Sequence, residues 1–360
     1  MFNKMCVTQI VLVLCFASVI LESIEAQCVS SYNGIGLVCK DIKKISREIL
    51  NENYEDTLLF HIINTTEPLG LSAFKNMKNL IYLKISGGKI GIIFSNTFKD
   101  MPLLQEVDIE SVRIEEIQES TFFNLPGLEK VTITNIDISF LRRGIFRNVP
   151  ELSHISLRNS NLRYIESESF YEVPKLESLF LDKNLLTIVK KNMLYKLTNL
   201  NTLILAYNNI SIIENNSFDH TPNLSILDLT NNQLKELDWN MFPTTGMKYL
   251  KGIYLYNNLL MYLPSNFFTR LPNLGKIFLN HNPWFCPCLR DIERTLYENN
   301  ILELSLPKSS KLKWLAPEQP SPRIPICINK NVSDNICTNT YSEELSKKYS
   351  KYLKDYEDFF

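Results

Sequence analysis

The sequence predicts a curved α/β solenoid, with short strands stacked into one parallel sheet on the concave face and disulfide-bonded caps at both ends. Three observations carry this expectation. Two apolar rows recur every 24 residues, each unit opens with a short apolar alternation, and beyond residue 26 cysteines occur only near the two ends.

The first row is Leu80, Leu104, Leu128, Leu152, Leu176, Leu200 and Leu224. A two-residue insertion around Pro243-Thr244-Thr245-Gly246 shifts the frame, and Leu250 and Leu274 resume the spacing. The second row is Phe74, Phe98, Phe122, Phe146, Phe170, Leu194, Phe218 and Phe242, with Phe268 continuing it after the insertion. A period of this length marks a solenoid, because one unit cannot bury its apolar side alone and stacking builds a continuous core.

Each unit repeats one local grammar. In Leu176-Glu-Ser-Leu179-Phe-Leu181-Asp-Lys-Asn184, the pair Leu179/Leu181 marks a strand with one face buried. The Asn turns the chain, and its amide can bond backbone groups of neighbouring turns. It recurs at Asn208, Asn232, Asn258 and Asn282, but the first half carries Gly88, Val112, Ile136 and Ser160 there. That half therefore either substitutes backbone or water partners, or is softer or differently curved. Nine units fit between about Asp56 and Asn273, followed by a capping strand at Ile277–Leu279. Ten strands at about 4.8 Å give an inner face on the order of 45 Å long.

The ends frame the array. Residues 1–26 read as a signal peptide, with Lys4 before an apolar run from Ile10 to Leu21 and a cleavage site after Ala26. The remainder divides into an N-terminal cap (27–55), the nine units (56–273), a last strand with the C-terminal cap (274–337) and a tail (338–360). No later stretch has the roughly 18 apolar residues of a membrane span. The expected protein is thus secreted, extracellular and without a membrane span. Six cysteines remain: Cys28, Cys39, Cys286, Cys288, Cys327 and Cys337. An oxidising compartment favours disulfides, and a four-cysteine zinc site at the C-terminal end is the competing reading. Sequons stand at Asn64, Asn209, Asn215, Asn223 and Asn331. The tail carries Leu345, Tyr349, Tyr352, Leu353, Tyr356 and Phe360 at roughly helical spacing.

These units resemble the extracellular leucine-rich-repeat family in its 24-residue form. The resemblance covers about Gln27 to Cys337. It includes the cap-opening run Asn282-Pro283-Trp284-Phe285-Cys286-Pro287-Cys288-Leu289, with a helix expected to follow to Glu298. Within the family the chain is similar to Toll, Slit and chaoptin ectodomains and to insect leucine-rich immune proteins. The resemblance implies Cys286–Cys327 and Cys288–Cys337 pairs. The long gap to Cys327 and the short one to Cys337 depart from the family's pattern and leave that pairing open. Cys28 and Cys39 would pair in a reduced N-terminal cap.

Chemistry is not indicated. His61, His154, His220 and His281 sit in no nucleophile or metal motif, and no phosphate loop or nucleophile elbow occurs. His154 and His281 read as exposed strand positions. A net charge of -1 gives no basic footprint for nucleic acid. No enzyme activity, cofactor or metal is expected, and the partner class is an extracellular protein, with homo- or hetero-oligomers open. The strand register turns Phe180, Ile204, Tyr207, Ile226, Tyr254, Tyr256 and Phe278 onto the concave side of the second half, against a polar first half that includes Lys84 and Glu110. Aromatics gathered on a rigid sheet are candidate hot spots for a protein ligand. Innate immunity or extracellular signalling is the setting the resemblance implies, and a matrix protein or soluble enzyme inhibitor are the alternatives.

Overall fold

A computed structural model describes residues 27–31, 35–41 and 56–303, apart from 67, 72, 75, 76 and 265. The signal-peptide segment, Cys327, Cys337, the Asn331 sequon and the tail lie outside the described residues.

The chain winds as a parallel solenoid. Strands β1 (Gln27–Ser31) and β2 (Gly36–Lys40) form an antiparallel hairpin in which Cys28 faces Cys39 and is disulfide-bonded to it. From β2 onward every neighbour in the main sheet is parallel. Next come β3 (Leu59–Thr65), β4 (Tyr82–Ile93) and β5 (Glu106–Glu110). Strands Lys130–Thr134, His154–Ser156, Ser178–Phe180, Thr202–Ile204, Ile226–Asp228, Gly252–Tyr254 and Lys276–Phe278 then follow at the repeat spacing. Leu302–Glu303 adds to the last of them, beside the helix Cys286–Glu298. Parallel strands require crossovers. Here these are turns, two-residue strand pairs such as Phe122–Phe123 with Phe146–Arg147, and 3-10 turns at Trp239–Met241 and Phe267–Arg270.

The two apolar rows form the core. The leucine row from Leu80 to Leu250 is completely buried. Phe74, Phe98, Phe122, Phe146 and Phe170 stack ring on ring, with centroids 5.1–6.4 Å apart and interplanar angles of 6–22°. Leu194 fills the row's next position and is also buried. After the insertion the row passes to Phe267, not to Phe268: Phe267 lies 5.9 Å from Phe242 and is fully buried, whereas Phe268 is only partly buried. The 3-10 turn starts at Phe267 and directs that ring inward.

The asparagine positions explain a change in strand length. Asn208 donates to Leu181 O and Leu205 O at 3.0 Å and accepts from Leu186 N at 3.0 Å. Asn184, Asn232, Asn258 and Asn282 repeat the pattern. Each amide bonds its own turn and the preceding one, so the main-sheet strands there span only three residues. Where the amide is missing the backbone pairs onward instead. β3 spans seven residues and β4 twelve, and Thr65 pairs with Gly88. Gly88 is required there, since a Cβ would lie 2.2 Å from Thr65 O, at a φ of +86°. Ser160 has no amide, yet its strand is also three residues long, because Asn184 of the next turn accepts from Ser160 N at 3.0 Å and donates to Leu157 O at 2.7 Å. Backbone groups thus replace the amide, and the first half is a wider ribbon of the same solenoid.

One turn position, just before the Asn, is left-handed throughout. Asn135, Asn159, Lys183, Tyr207, Asn231, Asn257 and His281 have φ between 48° and 57°. Asn tolerates this conformation, and a bulky side chain is strained in it. His281 is therefore a half-buried turn residue and not an exposed strand position, while His154 is exposed in its strand as expected.

Candidate functional site on the concave sheet

Parallel register lines up three side-chain rows on the inner face. The central row runs His61, Lys84, Asp108, Thr132, Ser156, Phe180, Ile204, Asp228, Tyr254 and Phe278. Each of these stands between two core residues of its strand, so its side chain turns away from the core.

The first half of this face is polar and internally paired. The Lys84 ammonium lies 2.6 Å from Glu110 and 3.7 Å from Asp108. Lys130 pairs with Glu106, the Tyr82 hydroxyl approaches Asp108 at 3.5 Å, and His61 Nε2 meets Ser86 Oγ at 2.8 Å. Burial, helped by the Lys84 charge, pushes the His61 pKa down to about 4, so the ring is neutral at physiological pH.

The second half holds the sequence-predicted site residues, with less surface than the sequence suggests. Ile204, Tyr256 and Phe278 are buried, and Phe180, Tyr207, Ile226 and Tyr254 are half-buried. The expected exposed aromatic patch is thus corrected to a partly closed one, because the rings cover one another. Tyr254 stacks on Phe278 with centroids 4.6 Å apart, and the Tyr256 ring lies 4.7 Å from His281. The large exposed apolar side chains, including Phe123, Phe140, Tyr171 and Ile212, belong to other rows.

Charged groups that the sequence reading passed over complete this region. Arg158 lies 4.2 Å over the Phe180 ring, and its Nε donates to Asp182 Oδ1 at 2.7 Å. Asp228 is only 1% exposed. Its Oδ1 accepts from Thr230 N at 2.9 Å, and its Oδ2 has no hydrogen-bond partner. Burial, with Asp182 adding repulsion, pushes its pKa up to about 6 despite the Thr230 hydrogen bonds. Tyr207 and Tyr254 have raised pKa values, by burial first and then by the Asp228 charge. The sequence carries no distinguishing signal for Asp228, since Asp108 likewise stands between two core residues, Val107 and Ile109.

Among the described residues no group of His, Cys, Asp and Glu is arranged to hold a metal, and no helix is long and apolar enough to cross a membrane. Cys288 is disulfide-bonded, while the Cys286–Cys327 and Cys288–Cys337 pairings involve residues outside those described. The sequon residues Asn64, Asn209, Asn215 and Asn223 are exposed and lie off the main-sheet strands of the second half.

Comparison with known proteins agrees with this architecture. A model described as BspA type leucine rich repeat region matches residues 39–152 and 67–201, and a leucine rich repeat model matches 174–234 and 222–283. The chain is a leucine-rich-repeat protein. A solved Toll–Spatzle complex from Drosophila contains a similar chain, at a TM-score of 0.63 and 20% identity over 74% of this chain and 36% of that one. The mouse RP105/MD-1 complex gives 0.56 and 22% over 70% of this chain and 43% of that one. The APL1 leucine-rich repeat domain gives 0.50 and 19% over 75% of this chain and 72% of that one. The chain spans only 36–43% of the length of the first three solved structures it resembles. Comparison with curated protein sequences gives no match.

Proposed function

We propose that this is a secreted, non-catalytic recognition protein that binds a protein ligand through the second half of its concave sheet. The observation that carries the reading is the aromatic and acidic cluster at Phe180, Tyr207, Asp228 and Tyr254 on an otherwise self-paired inner face. Aromatic anchors on a rigid sheet supply large contact area at little entropic cost. Fold neighbours described as complexes with Spatzle and with MD-1 support a binding role by analogy of architecture. An innate immune or signalling setting rests on the same analogy. Exposed sequons at Asn209, Asn215 and Asn223 would, if glycosylated, leave this inner face open.

The test is capture of partners from extracellular fluid with the full chain, followed by surface plasmon resonance on variants. Phe180→Ala/Tyr254→Ala should weaken binding by about thirtyfold or more, while Lys84→Ala/Glu110→Ala changes chiefly the association rate. Tyr256 is unsuitable for this test because it is buried. Wild-type affinity in the aromatic variant, with circular dichroism unchanged, would refute the site.

A further inference from the structure

Three aspartates on the concave sheet differ in one respect. Asp108 has the Lys84 ammonium at 3.7 Å, and Asp182 has the Arg158 guanidinium at 2.7 Å. Asp228 is the most buried of the three, and no cation of the described residues lies within ion-pair reach of it. A carboxylate removed from water without a counter-charge is strongly unfavourable, and is relieved either by taking up a proton or by a cation brought to it.

The chain itself shows what fits such a place. Arg158 lies 4.2 Å over the Phe180 ring while its Nε donates to Asp182 Oδ1, so an aromatic face and a carboxylate together hold one cation. The same two components, aromatic rings and a carboxylate, recur further along the sheet, with the carboxylate now in the central row. Asp228 is the register partner of Tyr254, Tyr254 stacks on Phe278, and Tyr207 N donates to Thr230 O two residues beyond Asp228. Here Lys183 Nζ reaches the Tyr207 ring at 5.8 Å, but no cation of the described residues reaches the carboxylate.

We propose that Asp228, with Tyr207 and Tyr254 beside it, receives a lysine or arginine side chain of the protein ligand, an inference that rests on the concave-face reading above. The ammonium or guanidinium bonds Oδ2, and its alkyl stem and charge lie against the phenol rings. Because Asp228 is almost closed off, the cation reaches Oδ2 only as neighbouring side chains turn aside. The ligand's basic side chain therefore arrives within an apolar contact that excludes water.

The test uses small cations on the full-length protein, so it does not require the ligand. The Asp228 side-chain carboxyl carbon is followed by 13C NMR at pH 7.5, assigned by its loss in Asp228→Asn. Tyrosine ring resonances are followed in wild type and variant. n-Butylammonium and ethylguanidinium, at ionic strength matched with sodium chloride, should shift the carboxyl and ring signals saturably. n-Butanol should act about tenfold more weakly or not at all, and in Asp228→Asn the cations should lose at least that factor in the ring shifts. An equal response to butanol, an unchanged response in Asp228→Asn, or no saturable cation response overturns the proposal. Failure of the broader reading looks different: the cations bind, but no captured protein is sensitive to Phe180→Ala/Tyr254→Ala.

Discussion

Replacing Asp228 by Asn should make the protein more stable at neutral pH, and the structure sets the size of the effect. Oδ1 keeps its bond from Thr230 N in the variant, while the group that ionises is removed. A carboxyl that titrates near 6 in the folded chain, against 3.8 when free, is disfavoured on ionising by about 3 kcal/mol. The sign follows from the raised pKa. The native state holds this proton more tightly than the unfolded chain, so the wild type gains stability as pH falls through 6 and bears the full penalty above it. The amide Nδ2 introduces a buried donor that recovers part of the loss, so the net gain at pH 8 should be about 1–3 kcal/mol. For an array of this size that is roughly 2–6 °C in melting temperature. The assay is thermal unfolding by circular dichroism of both proteins from pH 4 to 8. Their difference isolates residue 228, because all other titrations are shared. The variant should lead at pH 8, and the lead should close between pH 6 and 4. A lead that does not vary with pH, or a variant less stable at pH 8, would refute the reasoning.

Four further outcomes follow from the core, the turns and the first half. Phe146→Ala removes a ring held between Phe122 at 5.3 Å and Phe170 at 6.4 Å, and should cost about 3–5 kcal/mol, seen as lost hydrogen-exchange protection around residues 122–170. Asn208→Ala strands Leu186 N, Leu181 O and Leu205 O in the core and should cost about 3 kcal/mol or more in denaturant unfolding, whereas Val112→Ala should show only a small cavity effect. Tyr207→Asn relieves a left-handed tyrosine and should raise stability by about 1 kcal/mol in chemical denaturation while weakening ligand binding. His61, with its folded pKa lowered to about 4, favours the native state while neutral, so its contribution is lost as pH falls from 6.5 to 4, and His61→Gln should flatten that part of the stability–pH curve.

The rows Leu80 to Leu250 and Phe74 to Phe242 were legible because a 24-residue period states the core directly. Concave positions followed from the same frame, since strand alternation decides which side chains face inward. The frame broke where geometry departs from counting: the insertion suggested Phe268, and a 3-10 turn delivered Phe267. Exposure was less legible than direction. Tyr256 and Phe278 were assigned to the correct face, yet they are covered by contacts between neighbouring turns that no single repeat reveals. Asp228, the most perturbed carboxyl of that face, was hidden by its setting, because its burial comes from neighbours on other strands and not from its own sequence context.

The departures from easy folding are not spread evenly over the array. The left-handed turn carries Asn at positions 135, 159, 231 and 257, where the conformation is tolerated, but Lys at 183, Tyr at 207 and His at 281. The aspartates at 108 and 182 have cations at hand, but Asp228 has none. Tyr207 and Asp228 lie on adjacent turns, joined by the bond from Tyr207 N to Thr230 O. Each lowers stability by a kilocalorie or more, and each would be relieved by Asn, a residue this chain uses freely in its turns. If the proposed concave site is right, these two costs on adjacent turns, beside a stacked aromatic pair, are stability given up where side chains serve a ligand, and both should fall away in the Asn variants that lose binding.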